Sequence, residues 1–230
     1  MIKTTLILLT AIICVFPLNT FGGCTCGVQP PPEMGGNCAE GNCKNGTGVM
    51  TRTDGTRYEG EFKDSLPHGK GVFVYPEMKT EKKGAYSFLI SGKYEGGVKK
   101  GLKEGQGIFT FLSGTKYVGH FENDRMKGRG IMTVPGGIVY EGEFDNDIPQ
   151  GKGTVIFPDG RKYTGEVSSN SMSGKGEMTF PDGRKYVGEF QMNKMQGQGM
   201  MRYPDGRKEE GLFSEDKFIG KNKPDENGNG

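Results

Sequence analysis

Short stretches of strict alternation between apolar and polar residues recur along most of the chain. In Tyr140-Glu-Gly-Glu-Phe144, the tyrosine, the glycine and the phenylalanine fall on one side of an extended strand, because successive side chains point to opposite faces. The same parity continues beyond the next Gly-x-Gly, at Val155 and Phe157. No segment shows a sustained helical period. The pattern therefore predicts pairs of strands, each with one apolar face.

These strand pairs belong to a unit that repeats every 23 residues. Each unit has a tyrosine, a glycine two residues later and then a Gly-x-Gly pair, and three units end in Pro-Asp-Gly-Arg-Lys, at 158–162, 181–185 and 204–208. Asp-Gly favours turns that need positive φ, so we expect it to join consecutive units, with variable stretches such as 145–150 turning within a unit. The prediction is an all-β fold, an elongated single-layer antiparallel meander of β-hairpins.

The repeated glycines are expected to make room for the repeated aromatic rings. Glycine is a poor strand residue, but without a Cβ it allows a ring to lie across the neighbouring backbone. The residues predicted to pack between strands in this way are Tyr58, Phe62, Tyr94, Tyr117, Phe121, Tyr140, Phe144, Tyr163, Tyr186 and Phe190.

The pattern Y-x-G-x-F, then G-x-G, then D-G resembles that of MORN repeats over about residues 46–220. The resemblance implies a β-hairpin array that serves in membrane attachment or protein assembly and is not itself catalytic. Three departures stand out. The interval from Tyr58 to Tyr94 is 36 residues, residues 135–139 lack the Asp-Gly, and the last unit has Glu209 in place of the tyrosine. Polar degeneracy at an array end is typical of a capping repeat.

The N-terminus has the features of an export signal. Lys3 precedes an apolar run from Leu6 to Leu18, which is shorter than the ~20 residues that a membrane span needs. We expect residues 1–23 to be a signal peptide. Two alternatives remain for the cleavage: an ordinary signal-peptidase site, or a lipobox at 21–24 that leaves Cys24 lipidated in a bacterial source.

Residues 24–45 are rich in Cys, Pro and Gly and are predicted to form a tether or a stapled cap. Exported chains retain disulfides, so Cys26, Cys38 and Cys43 are candidates for pairing, and three connectivities exist if Cys24 also takes part. A four-cysteine zinc site is disfavoured by the C-x-C and C-x4-C spacings.

Thirteen extra residues between Gly71 and Tyr94 account for the long interval. The parity of Tyr86, Phe88 and Ile90 predicts an inserted, ordered hairpin at about 77–89 with an apolar face available to a protein partner. Residues 221–230 are polar and glycine-rich and are expected to be a disordered tail.

Composition limits the classes of function. Glycine makes up 41 of 230 residues, hydrophobic residues only 33%, and tryptophan is absent, so a large globular core is excluded. The net charge of +2 gives no argument for nucleic-acid binding. One local basic feature recurs before the tyrosine position and is a candidate rim for anionic lipid or polysaccharide, the alternative being a solvated rim: Arg161, Lys162, Arg184, Lys185, Arg207 and Lys208.

No catalytic constellation is visible. The two histidines, His68 and His120, occupy motif positions, and Glu61, Glu143, Glu166 and Glu189 recur as a stripe interpreted as solvated. We therefore expect no catalysis, no metal and no cofactor. The resulting hypothesis is an exported binding or scaffolding protein at the cell envelope, attached to the membrane through Cys24. The alternatives are an accessory subunit of an envelope enzyme and a binder of anionic lipid or polysaccharide.

Overall fold

A computed structural model describes residues 36–77 and 91–221. These residues form an antiparallel open sheet of sixteen strands whose order follows the chain, as the alternating pattern predicts. The described residues contain no helix. The strands are β1 (Gly36–Gly41), β2 (Gly46–Arg52), β3 (Arg57–Lys63), β4 (Leu66–Tyr75), β5 (Gly92–Lys99), β6 (Leu102–Phe111), β7 (Lys116–Glu122), β8 (Arg125–Val134), β9 (Ile138–Asp145), β10 (Ile148–Ile156), β11 (Lys162–Ser168), β12 (Ser171–Thr179), β13 (Lys185–Gln191), β14 (Lys194–Arg202), β15 (Lys208–Ser214) and β16 (Lys217–Gly220).

The described chain divides after Pro135 into two compact units. The first unit contains β1 to β8 and the second contains β9 to β16. Both units bury the repeat tyrosines on one face of the sheet, which we call the inner face, and leave the opposite, outer face to solvent.

Each repeat tyrosine lies flat over two glycines. The ring of Tyr163 occupies the space that a Cβ on Gly165 or Gly176 would need, and its hydroxyl donates to the Glu166 carbonyl at 2.7 Å. Gly165 and Gly176 face each other in the β11–β12 register, so the ring spans both strands. The same hydroxyl-to-carbonyl bond, three residues along the chain, occurs at Tyr58, Tyr94, Tyr117, Tyr140 and Tyr186.

The phenylalanines connect one repeat to the next. Phe190 meets Tyr186 of its own repeat edge-on at 5.2 Å and Tyr163 of the preceding repeat at 4.8 Å. Phe213 meets Tyr186 at 4.8 Å in the same way. All ten residues expected to pack between strands are at most 5% exposed. The apolar core is therefore a chain of equal packets rather than one interior.

The first glycine of each Gly-x-Gly forms a bulge that the motif glutamate covers. Gly174 has φ of 64°, which favours glycine, and the register of β11 and β12 shifts there. The carboxylate of Glu166 lies over Gly174 and accepts from the Lys175 amide, and Glu61 accepts from the Lys70 amide at 2.9 Å. The glutamate stripe interpreted as solvated thus also has a backbone-capping role.

The two kinds of turn differ in geometry. The turn within a unit has two residues, both at positive φ, as at Asn146 (48°) and Asp147 (70°). The Asp-Gly connection between units is longer: the amide of Phe157 bonds to the carbonyl of Arg161, and only Gly160 has positive φ. The tightest turns are therefore the variable ones within each unit. The sequence had instead predicted the tight turns at Asp-Gly.

Successive turns are hydrogen-bonded to each other along one edge. The Asp216 amide donates to the Met195 carbonyl at 3.2 Å, and the Met195 amide donates to the Asp216 carboxylate at 2.8 Å. Asn193 and Met172 make the same pair of bonds. At the other edge, each proline packs on the turn glycine of the preceding repeat, as Pro181 does on Gly160.

The sheet begins earlier than the boundary at residue 46 expected from the motif. β1 pairs with β2, and the Cys38–Cys43 disulfide links the middle of β1 to the connection that follows. Part of the segment 24–45 is therefore a strand, because backbone pairing on β2 does not require the tyrosine motif. Several expectations fall outside the described residues: the signal peptide at 1–23, the lipidation of Cys24, the pairing of Cys26, the predicted hairpin with Tyr86, Phe88 and Ile90, and the tail at 222–230.

Candidate functional site

The residue before each tyrosine position lies on the outer face, and register places these residues side by side across the strands. In the second unit Ile156 faces Lys162, Lys162 faces Thr179, and Thr179 faces Lys185. Lys185 then faces Arg202, which faces Lys208. We call Lys162, Lys185, Arg202 and Lys208 the cationic row. All four are exposed.

Three members of the cationic row have no acidic partner. In the part of the chain that the structure describes, Lys185 pairs with Glu177 at 2.8 Å, whereas Lys162, Arg202 and Lys208 form no ion pair. The Nε of Arg202 donates a hydrogen bond to the sulfur of Met200 at 3.3 Å. The row therefore presents unpaired positive charge to solvent.

The arginines of the expected basic rim are separated from the lysines. Arg161 turns back onto the ring of Phe157, 4.6 Å from its centroid, and pairs with Asp159 at 2.8 Å. Arg184 and Arg207 do the same with Asp182 and Asp205. Hydrogen bonds from these arginines hold the pKa of Asp182 and Asp205 below the usual value. Half of the expected rim is thus neutralised at the turns.

The surroundings of the cationic row are mixed. The adjacent outer row contains Val187, 48% exposed, and Met200, which face each other on β13 and β14. Acidic side chains flank this pair at Glu177 and Glu210 in the same row. The positive charge is consequently one residue wide.

In the corresponding row of the first unit, fewer cations are free to bind an anion. Its cations are Arg57, Lys93 and Lys116, which alternate with Val74, Thr110 and Thr133. Arg57 pairs with Glu59 at 3.0 Å, and Lys93 pairs with Glu95. Two of the three cations are therefore already compensated.

The first unit instead buries a cation on the inner face. Lys103 is 4% exposed, lies 3.2 Å from the Asp124 carboxylate and 3.5 Å from the Tyr75 hydroxyl, and sits over the rings of Tyr75 and Phe109. Burial lowers the pKa of Lys103, but Tyr75 and Asp124 outweigh that effect and raise it above its usual value. The ammonium therefore remains charged inside the sheet.

Three residues of these sites were not among those expected from the sequence: Lys103, Arg202 and Arg52. Aligning the repeats would have revealed Lys103, because other units have an apolar residue at its position, as at Met126, Met172 and Met195. Arg52 likewise stands where later repeats have an aromatic residue, and it lies 5.3 Å from the centroid of Phe73.

The described residues contain no group of three or more histidine, cysteine or acidic side chains arranged to hold a metal ion. Within the same residues, no helix is long and apolar enough to cross a membrane. The backbone carbonyls of His68 and His120 accept hydrogen bonds from Tyr58 and Tyr117. These histidine positions therefore contribute to the repeat core through their main chains.

The chain shows distant similarity to solved domains of CPAP proteins. The chain is 14% identical to the SAS-4 (dCPAP) TCP domain of Drosophila melanogaster, solved with a proline-rich motif of Ana2; the match covers 84% of this chain and 96% of that one, with a TM-score of 0.44. The CPAP G-box domain is also 14% identical, with 74% and 100% covered and a TM-score of 0.28. These similarities are too weak to indicate a ligand. No curated protein sequence matches the chain.

A family model gives a clear assignment. The MORN repeat model matches the chain in seven segments, at 44–57, 58–77, 94–116, 117–138, 140–160, 163–183 and 186–206. Each segment from 94 onward begins at or close to a repeat tyrosine, and the tyrosine, glycine and turn positions have the packing roles described above. The chain belongs to the MORN-repeat family, whose repeats act as binding or scaffolding modules.

Proposed function

We propose that this protein is an exported, non-catalytic binding module that presents its outer face to a partner at the cell envelope. The proposal rests on a difference between the two faces: the polar groups of the inner face have partners within the sheet, whereas several charges of the outer face do not. On the inner face the tyrosine hydroxyls are satisfied by backbone carbonyls, whereas Lys162, Arg202 and Lys208 on the outer face have no ion-pair partner among the described residues.

Chemistry on the inner face does not favour catalysis. Burial raises the pKa of Tyr58, Tyr140 and Tyr186 to about 12, so these hydroxyls stay protonated and act as hydrogen-bond donors. The inner face therefore holds the repeats together, and recognition is left to the outer face.

Export and anchoring are supported by the sequence of residues 1–24 and by the Cys38–Cys43 disulfide, since disulfides persist in oxidising compartments. If Cys24 carries lipid, the mature protein enters the detergent phase on phase separation, and Cys24→Ala leaves it in the aqueous phase. An intact mass that corresponds to an unmodified mature N-terminus would rule out the anchor.

The binding role is tested by photo-crosslinking on intact cells. A photoreactive residue in place of Val187 on the outer face is expected to capture a specific partner. The control places the same residue at Met192, which is 75% exposed and lies in the turn between β13 and β14, away from the outer face. Equal, non-specific labelling from the two positions would contradict the proposal.

A further inference from the structure

We infer that the partner of the cationic row is a linear polysaccharide with carboxylates, which runs across the strands of the second unit from β11 to β15. The inference rests on the proposed binding function and names its ligand. It is argued from the spacing of the row, its width and the surface beside it.

The spacing of the cations matches a line of single charges. Neighbouring strands lie ~4.8 Å apart, so Lys185, Arg202 and Lys208 follow one another at one strand spacing, and Lys162 precedes Lys185 by two. A polyuronate carries one carboxylate on each sugar of an extended chain, with a repeat comparable to one strand spacing. One polymer can therefore place a carboxylate beside every cation of the row.

The width of the row disfavours a planar anionic surface. Glu177 and Glu210 lie in the next outer row, and one row further Glu166 and Glu189 face Lys152 and Lys175. A lipid surface pressed against this face would meet those carboxylates together with the lysines, so repulsion would offset attraction. A single chain laid along the row meets the unpaired cations Lys162, Arg202 and Lys208, together with Thr179 and with Lys185, which Glu177 already pairs.

The surface beside the row suits a sugar. Exposed Val187 and half-buried Met200 offer an apolar strip next to Lys185 and Arg202, against which the C–H face of a sugar ring can pack. Thr179 lies between Lys162 and Lys185 and places a hydroxyl in the row itself. Hydroxyl and apolar groups distinguish a polysaccharide from polyphosphate, which would use the charges alone.

The test compares two triple variants of the full-length mature protein. Lys162→Glu, Lys185→Glu and Lys208→Glu reverse three cations of the row. Arg57→Glu, Lys93→Glu and Lys116→Glu reverse the three cations at the same repeat position in the first unit, so the two variants have equal net charge. Circular dichroism and the melting temperature check that both are folded. Binding to polygalacturonate is then measured by calorimetry at low ionic strength.

We expect the second-unit variant to lose about tenfold or more in affinity for polygalacturonate and the first-unit variant to lose less than about twofold. Arg202→Thr, which installs the residue found at Thr179, is expected to weaken binding about threefold. Equal losses in the two triple variants would overturn the inference, because binding would then follow net charge and not the row.

Three further probes separate the sources of negative charge. Dextran, which is neutral, is expected not to bind. Inorganic polyphosphate and vesicles of phosphatidylcholine with phosphatidylglycerol are expected to bind more weakly than polygalacturonate. Stronger, lysine-dependent binding to either probe would overturn the inference in favour of phosphate or membrane. If the second-unit triple variant fails to bind polygalacturonate but still captures the partner from Val187, the polysaccharide inference fails while the binding function stands.

Discussion

The two units of the sheet pack their aromatic rings in the same way but differ in where their cations lie and in how many of them are paired. In the first unit Lys103 is buried against Tyr75 and Asp124, and Arg57 and Lys93 on the outer face are paired with glutamates. In the second unit the position of Lys103 is occupied by apolar residues such as Met172 and Met195, and unpaired cations gather on the outer face. A repeat scaffold can therefore keep its aromatic packing constant while the placement and the pairing of its charged residues differ from one unit to the next.

The largest effect is expected at high pH, where ionisation of the buried repeat tyrosines should destabilise both units. Burial raises the pKa of Tyr58 in the first unit and of Tyr140 and Tyr186 in the second to about 12, against 10.0 for a free tyrosine. Their stabilisation is complete below pH 10 and is lost between pH 10 and 12, at about 2–3 kcal/mol for each tyrosine. Thermal melts from pH 8 to 12 should show a plateau followed by a steep fall.

The two units should respond alike to that change, because the tyrosine packing is the same in both. Hydrogen exchange at pH 10 to 11 resolves the units by peptide. Loss of protection in one unit alone would show that the tyrosine packing is not equivalent.

A comparable loss of stability in both units is expected when a glycine under a tyrosine ring is replaced. A valine at Gly176 would place a Cβ inside the ring of Tyr163, which is fully buried and cannot move aside. We expect Gly176→Val to destabilise the protein by about 3 kcal/mol. Gly130→Val, under Tyr117 in the first unit, is the matched change and should have a similar effect. Denaturant melts measure both, and an unchanged midpoint in either would contradict the ring-over-glycine packing.

Removing the side chain that faces the buried Lys103 should cost more stability than the matched change in the second unit. Asp124→Ala leaves the ammonium of Lys103 without its carboxylate, at a cost of about 3–5 kcal/mol. Asn193→Ala removes the corresponding turn side chain in the second unit, which accepts from the Met172 amide and donates weakly to the Ser171 hydroxyl but pairs with no charge, and should cost about 1 kcal/mol.

A replacement of the cation itself sharpens the same comparison. Lys103→Met restores the residue found at Met126 and should be neutral or stabilising, because a well-packed apolar side chain replaces a desolvated charge. If both Asp124→Ala and Asn193→Ala cost about 1 kcal/mol, the buried pair has no special role.

The smallest effect concerns the bulge glycines. Gly174 is covered by Glu166, whereas Gly128, in the first unit, has nothing above it because His120 replaces the glutamate. We expect His120→Glu to add about 0.5 kcal/mol through a new bond to the bulge amide, and Glu166→Ala to lose about as much. A destabilising His120→Glu would show that the imidazole contributes a contact of its own.

The sequence predicted the strands, their faces and the glycine-aromatic packing because these follow from period two and from the 23-residue repeat. The expected rim grouped Arg161 with Lys162 by charge, although one lies over a ring at the turn and the other stands on the outer face. The alternation of faces puts Arg161 on the side of Tyr163 and Lys162 on the opposite side, so parity, unlike charge, separates the two residues. Arg202 was missed since it breaks the repeat pattern and joins the lysines only through register.

The connection between β4 and β5 shows where such an array can grow. Pro76 packs on Gly55 just as Pro181 packs on Gly160, and the hydroxyl of Ser91 donates to the Pro76 carbonyl at 3.0 Å, so the strands meet in register on either side of the extra residues. Because this hydrogen bond closes the connection, the edge of the sheet that carries the Asp-Gly turns can accept an insertion here. We expect that the sequence between Pro76 and Ser91 can be exchanged without changing the register of the repeats that follow.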